Sequence, residues 1–110
     1  MASKGGSFQF RVSDALAVPL RGMLLRLRLT GGTPSFKDVG VGRRLRLTAP
    51  DGSTRDVAIK AHSLTAGRQT QARLDKTREL DVIIENSDAV VAGVPVDIGW
   101  TAEGPLEDDK

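Results

Sequence analysis

The feature that most constrains the fold of this chain is a recurring alternation of apolar and polar residues with a period of two. Phe8, Phe10 and Val12 alternate with Gln9, Arg11 and Ser13, and Leu25, Leu27 and Leu29 with Arg26, Arg28 and Thr30. Leu45 and Leu47 alternate with Arg44, Arg46 and Thr48, and Val57 and Ile59 with Asp56, Ala58 and Lys60. Leu80, Val82 and Ile84 alternate with Asp81 and Glu85, although Ile83 breaks the polar face; Val94, Val96, Ile98 and Trp100 alternate with Pro95, Asp97, Gly99 and Thr101. Successive side chains of a strand point to opposite sides, so each run collects its apolar residues on one face. Helical periodicity is weak throughout. Gln69 to Arg78 has helix-friendly residues but only Ala72 and Leu74 as apolar anchors, and it reads as a strand, a loop or one helical turn.

The punctuation agrees with strands. Ala49-Pro50-Asp51-Gly52 is a strong turn, because Pro presets φ, Asp bonds its own backbone and Gly accepts φ > 0. It predicts an antiparallel pair over about 43–49 and 54–61. Gly31 to Ser35, Gly40-Val41-Gly42 and Asn86-Ser87-Asp88 mark further turns. Six short strands leave exposed edges unless the sheet closes, so the expected fold is all-β, a closed six-stranded antiparallel barrel. The expected boundaries are a disordered N-terminus over 1–6, one barrel domain over 7–102 and an acidic disordered tail over 103–110.

A chain of 110 residues has room for one core. With only Phe8, Phe10, Phe36 and Trp100 as aromatics, that core is built mainly from Leu, Val and Ile, with Phe10 and Trp100 expected inside. The absence of cysteine excludes disulfides, thiolate zinc sites and cysteine nucleophiles, and it fits a reducing cytoplasm, the expected location. The apolar stretch Met23 to Leu29 is interrupted by Arg26 and Arg28 and is too short to span a bilayer, so no membrane role is expected.

Catalytic groups are scarce. The one histidine is His62; Asp56, His62 and Ser63 suggest a triad only by residue type. One His without Cys leaves no transition-metal ligand set, and no acidic run has calcium-loop spacing. Gly31 to Asp38 and Gly40 to Arg44 contain glycines and bases but lack the phosphate-loop pattern: Phe36 precedes Lys37, and Asp38 follows it. The expectation is a non-enzymatic domain without cofactor or small-molecule ligand.

Charge is the positive signal. The net charge is +2, yet Glu103 to Lys110 carries four acids and one base, which leaves the rest of the chain at +5. If the strands near 23–30 and 43–49 pair, Arg26, Arg28, Arg44 and Arg46 share one outer face. Arginine grips phosphate bidentately and stacks on bases. The same residues also serve as a solvated face, with Asp56 and Glu85 as counter-charges.

The N-terminal half carries an ordered pattern: Phe8-x-Phe10-x-Val12-x-Asp14-Ala15-Leu16-x-Val18, Arg21-Gly22, an apolar strand, Gly31-Gly32, Val41-Gly42, a further strand and Pro50-Asp51-Gly52. This resembles the second domain of translational GTPases of the elongation factor Tu family over about residues 8–60, and more weakly over 93–98. Leu20 replaces the first glycine of the family's Gly-Arg-Gly loop, Arg43 replaces the aspartate of its Val-Gly-Asp turn, and the GTPase domain is absent. The resemblance implies a barrel of the translation-protein type, without GTP hydrolysis, that contacts RNA or the ribosome, with Arg21 as a fifth contact beside Arg26, Arg28, Arg44 and Arg46. The expected function is therefore a translation-linked binding module for RNA or a ribosome-associated protein. The alternative is a protein-interaction domain, homodimeric or not, that uses apolar loops or a sheet edge.

Overall fold

The computed structural model describes residues 7–63 and 68–106. Two long strands, β1 (Phe8–Val18) and β2 (Gly22–Gly31), form a hairpin. Then follow β3 (Arg44–Thr48), β4 (Thr54–Ala58), β5 (Ala61–His62), the helix α1 (Gln71–Thr77), β6 (Glu79–Ile84), the small pair β7 (Val90–Val91) and β8 (Val94–Pro95), and β9 (Thr101–Gly104). Seven of these strands make one antiparallel sheet in the order β4-β3-β9-β1-β2-β6-β5, while β7 and β8 pair with each other. The sheet curls around a core of Phe10, Val12, Leu25, Leu27, Leu45, Leu47, Leu80, Val82 and Trp100, all buried. The alternating runs thus predicted the inward faces, including Phe10 and Trp100.

The expected closed six-stranded barrel is corrected to a curled seven-stranded half-barrel: no ladder joins the edge strands β4 and β5. The physical reason lies at Ile59 and Lys60. The Ile59 amide donates to the Arg43 carbonyl, and the next amide, Lys60, donates to the Ile83 carbonyl. One bent stretch of chain therefore serves both rims in succession, β4 against β3 and β5 against β6, instead of forming a strand that pairs along its whole length. Gln69 extends the β6 rim: its buried side chain accepts from the Asp81 amide and donates to the Ser63 carbonyl.

Two further expectations change, and one reading left open, that of Gln69 to Arg78, is resolved. Val94 to Trp100 is not one strand; Val94 and Ile98 are exposed while Val96 and Trp100 are buried, and only Val94–Pro95 is extended in a pair. Gln69 to Arg78 holds a helix, capped where the Thr70 hydroxyl accepts from the Arg73 amide. The tail does not begin at 103: Glu103 and Gly104 end β9, and a Cβ on Gly104 would lie 3.0 Å from the Phe8 ring. Residues 1–6 and 107–110 lie outside the described residues.

Among the described residues, no helix is long and apolar enough to cross a membrane.

Candidate interaction face

The outer face of the sheet is built from residues that stand opposite one another on neighbouring strands, so it reads as rows running across the sheet. One row is Asp56, Arg46 and Glu103, on β4, β3 and β9. A second runs Thr54, Thr48, Thr101, Arg11, Arg28 and Glu79. A third is Asp14, Arg26 and Asp81, on β1, β2 and β6. A fourth is apolar: Leu16, Leu24 and Ile83.

This arrangement divides the candidate arginines. β2 pairs with β1 and β6, whereas β3 pairs with β4 and β9, so β9 and β1 stand between them. Arg26 and Arg28 therefore do not share a patch with Arg44 and Arg46, contrary to the expectation from sequence. Opposite charges hold most of them. Arg26 makes a bidentate pair with Asp81, Nε to Oδ1 at 3.0 Å and an Nη to Oδ2 at 3.1 Å. The Asp81 side chain is 4% exposed and that of Arg26 39%, so the acid is the buried partner and the base its link to solvent. The hydrogen bond and charge of Asp81 hold the Arg26 guanidinium above its ordinary pKa. Arg46 meets Asp56 at 2.9 Å and is likewise raised by that hydrogen bond. Arg28 reaches Glu79 at 3.4 Å. Arg44 is half-buried at the start of β3 and also has a partner. Arg21 is exposed in the β1–β2 turn, where its carbonyl accepts from Lys60 Nζ. One positive juxtaposition remains: Arg11 lies directly across from Arg28.

Asp56 and His62 of the imagined triad are each held by another partner. Asp56 is engaged by Arg46 on the outer face. The His62 Nε2 lies 2.8 Å from the Val39 carbonyl, which can only accept, so this nitrogen carries the proton and donates it. The ring packs 5.0 Å from that of Phe36. His62 thereby ties β5 to the turn over 36–39. Ser63 is buried, with its amide donated to Asp81. Among the described residues, no three His, Asp or Glu side chains gather as a metal site would require. An open cleft of about 240 Å³ at Ser7, Gln9, Gly32 and Glu103 is smaller than the pockets of about 300 Å³ and upward that enclose small ligands.

The residues that sequence reasoning missed are apolar. Among the described residues, five large hydrophobics are exposed: Leu16, Leu20, Val41, Val94 and Ile98. Three of them follow one line. Beyond Val12, whose amide donates to Trp100 and whose carbonyl accepts from Gly99, β1 loses β9 as a neighbour and continues to Val18 with, among the described residues, only β2 paired beside it. Ile98 stands at the start of this open edge, Leu16 in its middle and Leu20 beyond its end. Leu20 is fully exposed at 103% and has φ +67 in the turn closed by Arg21 N donating to Val18 O. That turn position favours glycine. Gly22, two residues on, is obligatory, since φ is +135 and a Cβ would collide with the Ile84 carbonyl oxygen. The signal in the sequence was the run Ala15 to Leu20, six residues without a charge.

No protein-family model, no curated protein and no solved structure matches the chain.

Proposed function

We propose that this is a cytoplasmic, non-enzymatic binding module whose partner is a protein, contacted through the open half of the β1–β2 hairpin. The observation that carries this reading is the contrast on the outer face: Leu16, Leu20 and Ile98 lie exposed along an unpaired edge, whereas Arg26, Arg28 and Arg46 are each paired with a carboxylate. Paired charges offer a phosphate little, because binding it requires breaking an existing ion pair. Exposed apolar residues in a line gain from any apolar partner. The position of His62 supports this reading, since its Nε2 is occupied by the Val39 carbonyl.

RNA contact linked to translation is the second reading. It rests on the resemblance over residues 8–60 and on the Arg11–Arg28 juxtaposition, with Arg21 exposed nearby in sequence order on the same hairpin.

Titration of labelled single-stranded RNA separates the two at ~50 mM and ~200 mM salt, where each phosphate contact contributes a log–log slope of roughly −0.7. We expect no saturable binding at either salt concentration. Saturable binding with a slope near −2, about three phosphates, that is lost on Arg11→Gln and Arg28→Gln would put the RNA reading first. The purified domain is also expected to hydrolyse neither GTP nor ATP; turnover above a buffer blank that disappears with His62→Ala would remove the non-enzymatic reading.

A further inference from the structure

We infer that the open edge of β1 at Ala15–Ala17 pairs antiparallel with the same edge of a second copy of this chain. This rests on the protein-binding reading and makes it specific.

The backbone of β1 turns polar groups toward this edge. The Val18 carbonyl accepts from Arg21, so Val18 faces the β2 side. The polar groups of a strand alternate in direction, so Ala17 and Ala15 turn theirs away from β2, toward the edge where, among the described residues, no strand lies. Among the described residues the cover is local: the Asp14 carboxylate accepts from the Ala15 amide at 3.0 Å.

The register of this edge suits a second copy of itself. A twofold axis through Leu16 places Ala15 opposite Ala17 of the second copy, and Ala17 opposite its Ala15. These two positions become hydrogen-bonded pairs. The Leu16 residues between them form the closer, non-hydrogen-bonded pair, where side chains approach most tightly. Asp14 then faces Val18 of the second copy, so no like charges oppose each other across the seam. Natural sheets guard free edges with charge or with an early end to the strand. Here Ala15 to Leu20 carries no charge and the strand runs four residues past Asp14.

The apolar row would also continue across such a seam. Leu16 is 53% exposed and ends the apolar row whose other members, Leu24 and Ile83, are only 8% and 3% exposed on the same face. Pairing through the axis joins two such rows end to end. It also carries the Leu20 of each copy toward the end of the edge where the other exposes Ile98. A seam this short buries less than about 1,200 Å² in total, the size of a transient contact, so assembly at high micromolar concentration is expected.

Sedimentation equilibrium from about 10 μM to about 1 mM tests this, spanning the weak affinities of such small contacts. The expected result is a reversible monomer–dimer equilibrium, with concentration-dependent amide-exchange protection at Ala15 and Ala17. Ala17→Pro removes only an outward amide, and Leu16→Lys places two like charges at the axis; each is expected to lower the association constant at least tenfold. Asp14→Ala frees the Ala15 amide and is expected to raise it severalfold. Leu16→Lys changes a solvent-facing side chain, so the test survives if the proline variant fails to fold. A chain that stays monomeric across the range overturns the inference, and if RNA binding is also absent the broader protein-binding reading still stands. Assembly that is indifferent to both Leu16→Lys and Ala17→Pro overturns it as well.

Discussion

The charged and apolar rows of the outer face sit side by side on β1, β2 and β6, yet they have opposite relations to the rest of the molecule. In the row Asp14–Arg26–Asp81, and again in Asp56–Arg46–Glu103, each arginine stands between two acids on neighbouring strands. These rows are electrostatically self-contained. In the row Leu16–Leu24–Ile83 the inner members are covered and the outer one is not, because, among the described residues, no strand pairs with the outer edge of β1 there. The number of bases on a face therefore says little about its capacity to bind an anion. What decides is which residue the adjacent strand places opposite each one, and where the sheet runs out of strands.

The comparison presumes that both rows are carried by one rigid core, and the largest expected effect tests that premise. Phe10 and Trp100 are buried at the junction of β1 and β9, where the Val12 amide donates to the Trp100 carbonyl. Truncating either to Ala is expected to cost about 3–5 kcal/mol, a large share of the stability of a domain this size. Chemical denaturation measures it. A loss below about 1 kcal/mol at both sites would mean that the faces are assigned to the wrong sides of the sheet.

The next effect separates the charged rows from each other. Among the described residues, Arg26 is the charge paired to the buried carboxylate of Asp81, whereas Arg46 and Asp56 are both well solvated. Arg26→Met strands Asp81 in the sheet, and with the outer part of the pair open to water a loss of about 1–3 kcal/mol is expected. Arg46→Gln is expected to leave the melting temperature unchanged, as exposed pairs usually do. Equal effects at the two sites would show that burial of Asp81 does not distinguish the rows. Had another base stood opposite Arg26, as a shared arginine face would imply, its removal would be neutral or stabilising; Asp81 reverses that sign.

That reversal shows where the sequence was legible. Alternation identifies the buried face of a strand because one face meets the core wherever the strand lies in the sheet. Thus Phe10, Leu27, Leu47 and Leu80 were readable, as was the Pro50-Asp51-Gly52 turn, whose geometry is local. Pairing is not local. Nothing in the residues of β2 and β3 says that β9 and β1 stand between them, since β9 is a four-residue strand of Thr101, Ala102, Glu103 and Gly104 with hardly any pattern of its own. The alternation of Val94 to Trp100 misled for a related reason: with Val96 and Trp100 inward and Val94 and Ile98 outward, burial recurs every fourth residue, which a two-residue template also fits. Helix α1 was ambiguous because its single buried residue, Leu74, gives no periodicity to read. The open edge was missed because an unpaired strand looks, in sequence, like a paired one.

The smallest expected effect on stability bears on the apolar row. Leu20 holds φ +67 with its side chain wholly in solvent, so it combines a backbone cost with no burial in return. A left-handed conformation costs a non-glycine residue roughly 1–2 kcal/mol. Leu20→Gly removes that strain but adds freedom to the unfolded chain, which offsets roughly 0.4–1 kcal/mol of the gain. The net expectation is a domain as stable as the parent, or more stable by up to about 1 kcal/mol, by denaturant titration. Leucine at a glycine position would then be a residue that folding does not need. If the open edge pairs with a second copy as inferred, the same variant should weaken assembly, because Leu20 no longer reaches Ile98. Destabilisation by Leu20→Gly would instead mean that the leucine supports the hairpin itself, and the contrast between the self-contained charged rows and an edge made for a partner would lose its outermost residue.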